Sequence, residues 1–297
     1  MKLYLIDRMN SRLKGYLIGA LAAASYGTIP LFALPLYKEG LNPVSVLLFR
    51  YLMAVPIILV MLRLKHTPVR LSERRMWLPL IILGLTMGAS SLFLFLSYVT
   101  LPAGIASTIL FVYPIVVLVL MSVIYHEKMR LVTVVCIVIA LAGIVLLYYQ
   151  GNGVTLDPLG TFFIVMSALT YAIYLVGLNR TKLGSIDPLL TSFFVIFVSV
   201  FMFFFYLRCG IDVTVPKTAF AWFNIFCLAT IPTVVSFYAT AYAVQHIGST
   251  PTAVLGALEP ATAVTIGILV FNEPITFRIA IGLILVIVSV TYLIIRK

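Results

Sequence analysis

Arg50 and Glu259 each place a full charge in the middle of an otherwise apolar stretch, VLLFRYLMAV and VLGALEPATAV. A charge at the centre of a bilayer costs about 2.5–3.5 kcal/mol on insertion scales, so such residues face a bundle interior or a cavity and mark ion or substrate pathways. Glu259 is the one acidic residue inside an apolar run, and a lone carboxylate there suits a proton acceptor or a ligand for a substrate amine. Its bland alternative is a structural pair with Arg50 or with Ser and Tyr hydroxyls. Arg50 reads foremost as structural, because a long side chain reaches carbonyls at a helix end or snorkels outward.

Each of two apolar runs carries a proline in mid-span, Pro114 after Tyr113 and Pro260 after Glu259. A proline removes one backbone donor and frees a carbonyl one turn earlier. Transporters use such interrupted helices, at corresponding positions of two halves, as binding sites near the midplane; a plain packing kink is the other reading. Polar side chains recur at helical spacing near these points: Thr252, Gly256, Glu259 and Thr262 or Ala263 on one run, and Ser167, Tyr171 and Tyr174 on another. Ala22, Ser25 and Tyr26 form a third group, and Gly84, Gly88, Ser91 matches Ala229, Thr233, Ser236. The small residues serve close helix contacts first. The candidate binding residues are therefore Glu259, Tyr113, Tyr26, Ser25, Tyr171, Tyr174, Ser91, Ser236, Thr252 and Arg50.

Other chemistries find little to work with. Cys136, Cys209 and Cys227 are isolated, with no metal or disulfide spacing. His66, His126 and His246 fall at the ends of apolar runs, so neither a metal cluster nor a nucleophile dyad is expected, and no cofactor. The net charge of +11 does not signal nucleic acid, because the basic residues sit at segment ends rather than in one stripe.

These residues must be positioned by membrane helices. Sixty-three percent of residues are hydrophobic, ten percent are charged, and the mean hydropathy is +1.17, far from the globular norm of about half and a quarter. Apolar runs broken by Gly, Pro and charges predict ten spans, at 13–33, 43–62, 77–99, 102–124, 131–149, 157–179, 188–207, 220–241, 250–271 and 277–295. With the N-terminus inside, fifteen of the twenty Lys and Arg fall on one side. That alternation predicts both termini in the cytoplasm. The first run is read as a retained span rather than a signal peptide.

The chain is also doubled. Gly15/Gly160, Tyr26/Tyr171, Pro43/Pro188 and Trp77/Trp222 are 145 residues apart, and Pro114/Pro260 and Glu127/Glu273 are 146 apart. Five spans per copy, 1–150 and 151–297, force the second copy upside down. Inverted repeats characterise transporters. The two tryptophans are expected at opposite interfaces, and Glu127 and Glu273 at helix N-termini, facing the positive end of the helix dipole.

The sequence resembles the drug/metabolite transporter superfamily, in its ten-span form with two EamA-type domains. The likeness rests on Phe49-Arg50 with Ala54, on FVYPIVVLVLMSVIYHEK from Phe111 to Lys128, and on ALEPATAVTIGILVFNEP from Ala257 to Pro274. It implies an all-α membrane protein with two inverted five-helix repeats around a central cavity lined by spans 1, 3, 4, 6, 8 and 9, with spans 5 and 10 peripheral. It also implies a scaffold shared by carriers of many solutes. Members that carry sugar phosphates keep several basic residues in the cavity, whereas only Arg50 lies within a span here.

The expected activity is secondary active export, by alternating access, of small amphipathic metabolites such as amino acids or organic amines across the inner (plasma) membrane. The partners would be the substrate, the lipid bilayer and possible coupling protons. A lipid flippase or scramblase on the same scaffold is the alternative. A membrane-embedded enzyme would need paired carboxylates or a nucleophile with its base, and a channel would need a continuous polar pore.

Overall fold

A computed structural model of the protein describes residues 2–69, 74–101, 103–128, 130–148, 157–180, 186–271 and 277–295. Glu273 and Pro274, read above as a helix start, lie outside them. The described residues form helices without strands. Span 1 comprises α1 (Lys2–Tyr26) and α2 (Ile29–Lys38), span 2 is α3 (Pro43–Leu64), and span 3 is α4 (Trp77–Ser97). Span 4 is split into α5 (Ala103–Leu110) and α6 (Tyr113–Val123), and span 5 is α7 (Leu131–Tyr148). In the second copy, α8 (Pro158–Arg180) and α9 (Pro188–Tyr206) form spans 6 and 7. Span 8 is α10 (Ala219–Ala229) and α11 (Ser236–Ile247), joined by a π-helical turn over Thr230–Val235. Span 9 is split into α12 (Ser249–Leu255) and α13 (Leu258–Phe271), and α14 (Phe277–Ile295) is span 10.

Among the described residues, seven segments are long and apolar enough to cross a bilayer by themselves. The remaining three spans are the two split ones and α7. Two boundaries differ from the sequence expectation. Span 1 reaches Lys38 and is interrupted at Gly27 and Thr28, just before Pro30, which has no N–H to continue the helical ladder; Gly27 lies against the carbonyl of Glu259, where any Cβ would collide. Span 8 runs on to Ile247, its polar residues being sheltered by packing.

Helix starts follow local chemistry. Asn42 and Asp187, repeat mates, cap α3 and α9 by accepting hydrogen bonds from Val44 N and Leu189 N, both at 2.9 Å. Each is followed by proline at the first helical position, Pro43 and Pro188, where the missing N–H costs nothing.

Contacts across the bundle obey the pseudo-two-fold symmetry implied by the repeat. Phe49 meets Trp222 edge-on, with ring centroids 5.4 Å apart, and the mates Phe194 and Trp77 repeat that contact at 5.3 Å. Gly15 packs on His246 and Ile247, and its mate Gly160 packs on Thr100 and Leu101. In the peripheral pair of α7 and α14, Ser289 Oγ donates to the Cys136 carbonyl at 2.6 Å, and Gly143 abuts the carbonyl of Gly282. The 146-residue offset exchanges these last two contacts. Small residues let the helix backbones approach closely, which is how membrane helices gain packing energy without a hydrophobic drive between them.

Polar ties join the copies at both ends of the bundle. At the end that gathers the basic loops, Lys65 pairs with Asp187 and Arg180 with Glu127 at 3.2 Å. The hydrogen bond to Asp187 raises the Lys65 ammonium pKa above its ordinary value, while partial burial pulls the other way. At the opposite end, Thr214 accepts from Asn42 N at 2.9 Å and its own N–H donates to Ser45 Oγ at 3.0 Å, while Thr218 Oγ1 donates to Glu39 at 2.9 Å.

Candidate functional site

Both mid-span prolines stand just after helix breaks. Pro114 falls in the first turn of α6 and Pro260 in the first turn of α13, so the missing N–H of each coincides with a turn that has no intrahelical use for it. The breaks face each other: the Tyr113 hydroxyl occupies the space beside Gly256 that a side chain would need. Around this point Tyr26, Tyr113, Tyr171, Thr240, Thr252, Gly256 and Glu259 line a small cavity with Gly19, Ala22 and Ala23 of α1.

Its free space is about 10 Å³, room for roughly one water. Three tyrosines fill the remainder. Tyr26 and Tyr171, repeat mates, stack nearly parallel, 9° apart with centroids at 6.3 Å. Tyr113 meets Tyr171 edge-on at 4.8 Å. A ring pair made of mates lies where the pseudo-two-fold axis must pass, so the cavity sits on that axis.

Glu259 is 7% exposed, and its carboxylate has no salt-bridge partner among the described residues. The alternative of a structural ion pair with Arg50 is therefore not met. Arg50 is buried completely beside Tyr26, whose ring centroid lies 5.9 Å from the guanidinium carbon. The rings of Tyr51 and Phe95 approach it to 5.5 and 5.6 Å, distances at which an aromatic face attracts a cation.

Span 8 supplies the rest of the Arg50 environment. Pro232 has no N–H, and Thr233 Oγ1 donates to the carbonyl of Leu228, four residues before the proline, at 2.7 Å. The same hydroxyl accepts from Arg50 Nε. In the π-helical turn the Ser236 N–H is directed to Ile231, bypassing the Pro232 carbonyl, which accepts from Arg50 Nη2 at 2.9 Å. Arg50 Nη1 has no hydrogen-bond partner among the described residues.

The other expected site residues divide in two. Tyr26, Tyr113, Tyr171, Thr252 and Glu259 converge on the cavity, whereas Ser25, Tyr174, Ser91, Ser236 and Arg50 stand outside its lining. Ser25 bonds back to the Ala22 carbonyl at 2.9 Å, Ser236 crosses to that same carbonyl at 3.0 Å, and Ser91 shares a hydrogen bond with the Tyr51 hydroxyl at 2.7 Å. Tyr174 stacks behind Tyr171 with centroids at 6.1 Å. Span 3, expected to line the cavity, thus stays one layer back. Thr240 was missed; its signal was the four-residue continuation of the face through Thr233 and Ser236.

A second, larger cavity of about 320 Å³ opens at the basic end, lined among others by Glu127, Lys128, Arg130, Asn179, Ser249 and Pro251. Asn179 Nδ2 donates to Ser249 Oγ at 3.2 Å on its wall. Helix α12 joins the two spaces, with Pro251 on the larger and Thr252 on the smaller. Among the described residues no group of three or more His, Cys, Asp and Glu could hold a metal ion.

An all-helical membrane bundle of two inverted repeats, with broken helices meeting at a polar point on its axis, is the architecture of a membrane transporter. The chain matches the EamA-like transporter family twice, over residues 13–149 and 158–295, and belongs to that family. It is accordingly a membrane transporter of the drug/metabolite superfamily. One protein of known crystal structure superposes with a TM-score of 0.80 over 95% of this chain and 99% of its own, at 16% identity, a likeness of fold alone. No curated protein matches the chain.

Proposed function

We propose that this transporter is a secondary active exporter of small amphipathic metabolites that carry an amine, amino acids or organic amines, working by alternating access in the inner (plasma) membrane with both termini cytoplasmic. The observation that carries the proposal is Glu259: a buried carboxyl group with no cationic partner among the described residues, enclosed by three tyrosines at the break of α12 and α13. An ammonium is the natural partner for such a group, and aromatic faces add cation–π attraction. Glu259 exchanges the amine for a proton in the return step, making protons the coupling ion.

The cavity's free space is small, so the halves must rock apart to admit substrate, which enters from the larger cavity at the basic end. Enclosure of the cavity by spans 1, 4, 6, 8 and 9 favours a soluble substrate over a lipid, which would need a side opening.

The test is uptake by proteoliposomes of labelled amino acids and organic amines. Wild-type transport should saturate with concentration, as a channel's would not, and Glu259→Gln should lower it by about tenfold to a hundredfold, the worth of a lost charged hydrogen bond. Normal transport by this variant, purified in folded form, would remove the carboxylate from the pathway.

A further inference from the structure

The core contains two ionisable side chains of opposite kind that do not pair with each other. Arg50 is fully buried and Glu259 nearly so, yet no salt bridge joins them. Burying an ion costs several kcal/mol even after relaxation, and proteins offset this by pairing it. Arg50 is compensated by one hydroxyl, one carbonyl and the faces of three aromatic rings, none of them anionic, and among the described residues its Nη1 is an unsatisfied buried donor. A guanidinium presents its donors in a planar fork suited to a carboxylate; here Nε and Nη2 are bound and Nη1 is not.

Tyr26 is the neighbour that both charges share. Its ring faces the Arg50 guanidinium at 5.9 Å and lines the cavity with Glu259. It is the last residue of α1, followed directly by Gly27 and Thr28, at which span 1 passes from α1 to α2. A rotation of Tyr26 off its stack with Tyr171 would open the cavity to Arg50 Nη1.

We infer, building on the function proposed above, that Arg50 and Glu259 are the two poles of one site and that the substrate is a zwitterion, its carboxylate held by Arg50 and its ammonium by Glu259. This separates amino acids from simple amines. The asymmetry of the chain supports it: the repeat mate of Arg50 is Val195 and the residue matching Glu259 is Tyr113, so neither pole is a duplicated structural feature. Thr233 and the Pro232 carbonyl orient the guanidinium, and are positioning groups.

The decisive experiment measures thermal stabilisation of the purified full-length protein, since a ligand that binds the native state raises its melting temperature. The probes are L-leucine, L-phenylalanine and L-threonine, the carboxamide and N-acetyl derivative of each, and isopentylamine and phenethylamine. At least one amino acid should stabilise, and its amide, its N-acetyl form and its decarboxylated amine should bind about tenfold to a hundredfold more weakly, as expected for loss of one charged hydrogen bond. Arg50→Gln should weaken the amino acid to the level of its amide while leaving amide binding unchanged, and Arg50→Lys should recover only part, lacking the fork.

Should the Arg50 variants fail to fold, the wild-type series decides alone. Amides or amines that bind as well as the amino acids would overturn the zwitterion site while leaving the amine-transport proposal standing. If neither class binds, the amine-transport proposal falls and the zwitterion site falls with it.

Discussion

The contact of span 2 with span 8 and the contact of span 7 with span 3 are the same interface built twice, and they are spent differently. Both keep the aromatic pair at the rim, Phe49 with Trp222 and Phe194 with Trp77. Beyond it they diverge. In the second, α4 is an unbroken helix whose Gly84 lies so close to α9 that a Cβ would come within 2.5 Å of Val198 Cβ, and Ser199 Oγ donates to the Gly84 carbonyl at 2.9 Å. In the first, Ala229 stands at the Gly84 position, Pro232 at that of Met87 and Thr233 at that of Gly88. There the helix opens into a π turn whose carbonyl and hydroxyl hold Arg50. One copy of the interface is closed packing. The other has given up helical regularity to house a charge, a trade typical of π turns at functional sites.

The largest effect should come from erasing this difference with Arg50→Val, which copies Val195. Replacing a buried ion by a hydrophobic residue is often neutral or stabilising, so the melting temperature of the detergent-purified protein should hold or rise while proteoliposome transport is lost. A drop in stability with transport intact would make Arg50 purely structural.

Next comes the closed copy. Gly84→Ala should cost about 1–3 kcal/mol by overpacking, read as a lowered melting temperature, whereas the mate change Ala229→Gly should cost about 1 kcal/mol through helix propensity. Equal effects would mean that the two interfaces are packed alike.

The smallest effect is at the basic end. Asp187→Asn keeps the cap on Leu189 N but removes the ion pair with half-exposed Lys65, a loss of about 0.2–1 kcal/mol. Because the pair raises the Lys65 pKa above 10.5, its contribution is fully present at neutral pH and fades as pH climbs through that raised value. The wild type and variant should therefore converge in strongly alkaline buffer and in high salt, as followed by thermal melts.

Much of the architecture was legible in the chain. Proline and glycine spacing marked the breaks of spans 4 and 9 because a missing backbone donor acts locally. The repeat anchors reappear as exchanged contacts, since a helix period and a fixed offset decide which faces are equivalent. Of the candidate residues, Tyr26, Tyr113, Tyr171, Thr252 and Glu259 line one cavity, whereas Ser25 and Ser91 turn their hydroxyls to a carbonyl in the same helix and a neighbouring tyrosine, respectively. Small polar side chains have several partners within reach, and only the packing chooses among them.

From the amino acids alone came the membrane, the doubling and its inversion, and the two charges that a bilayer would not tolerate without cause. These follow from solvation and from counting, which need no coordinates. Whether Arg50 and Glu259 neutralise each other depends on crossing angles and on which helix breaks where, properties of ten spans packed together. The tertiary structure set them apart with Tyr26 beside both, and gave Arg50 a π turn that no local pattern around Pro232 announced.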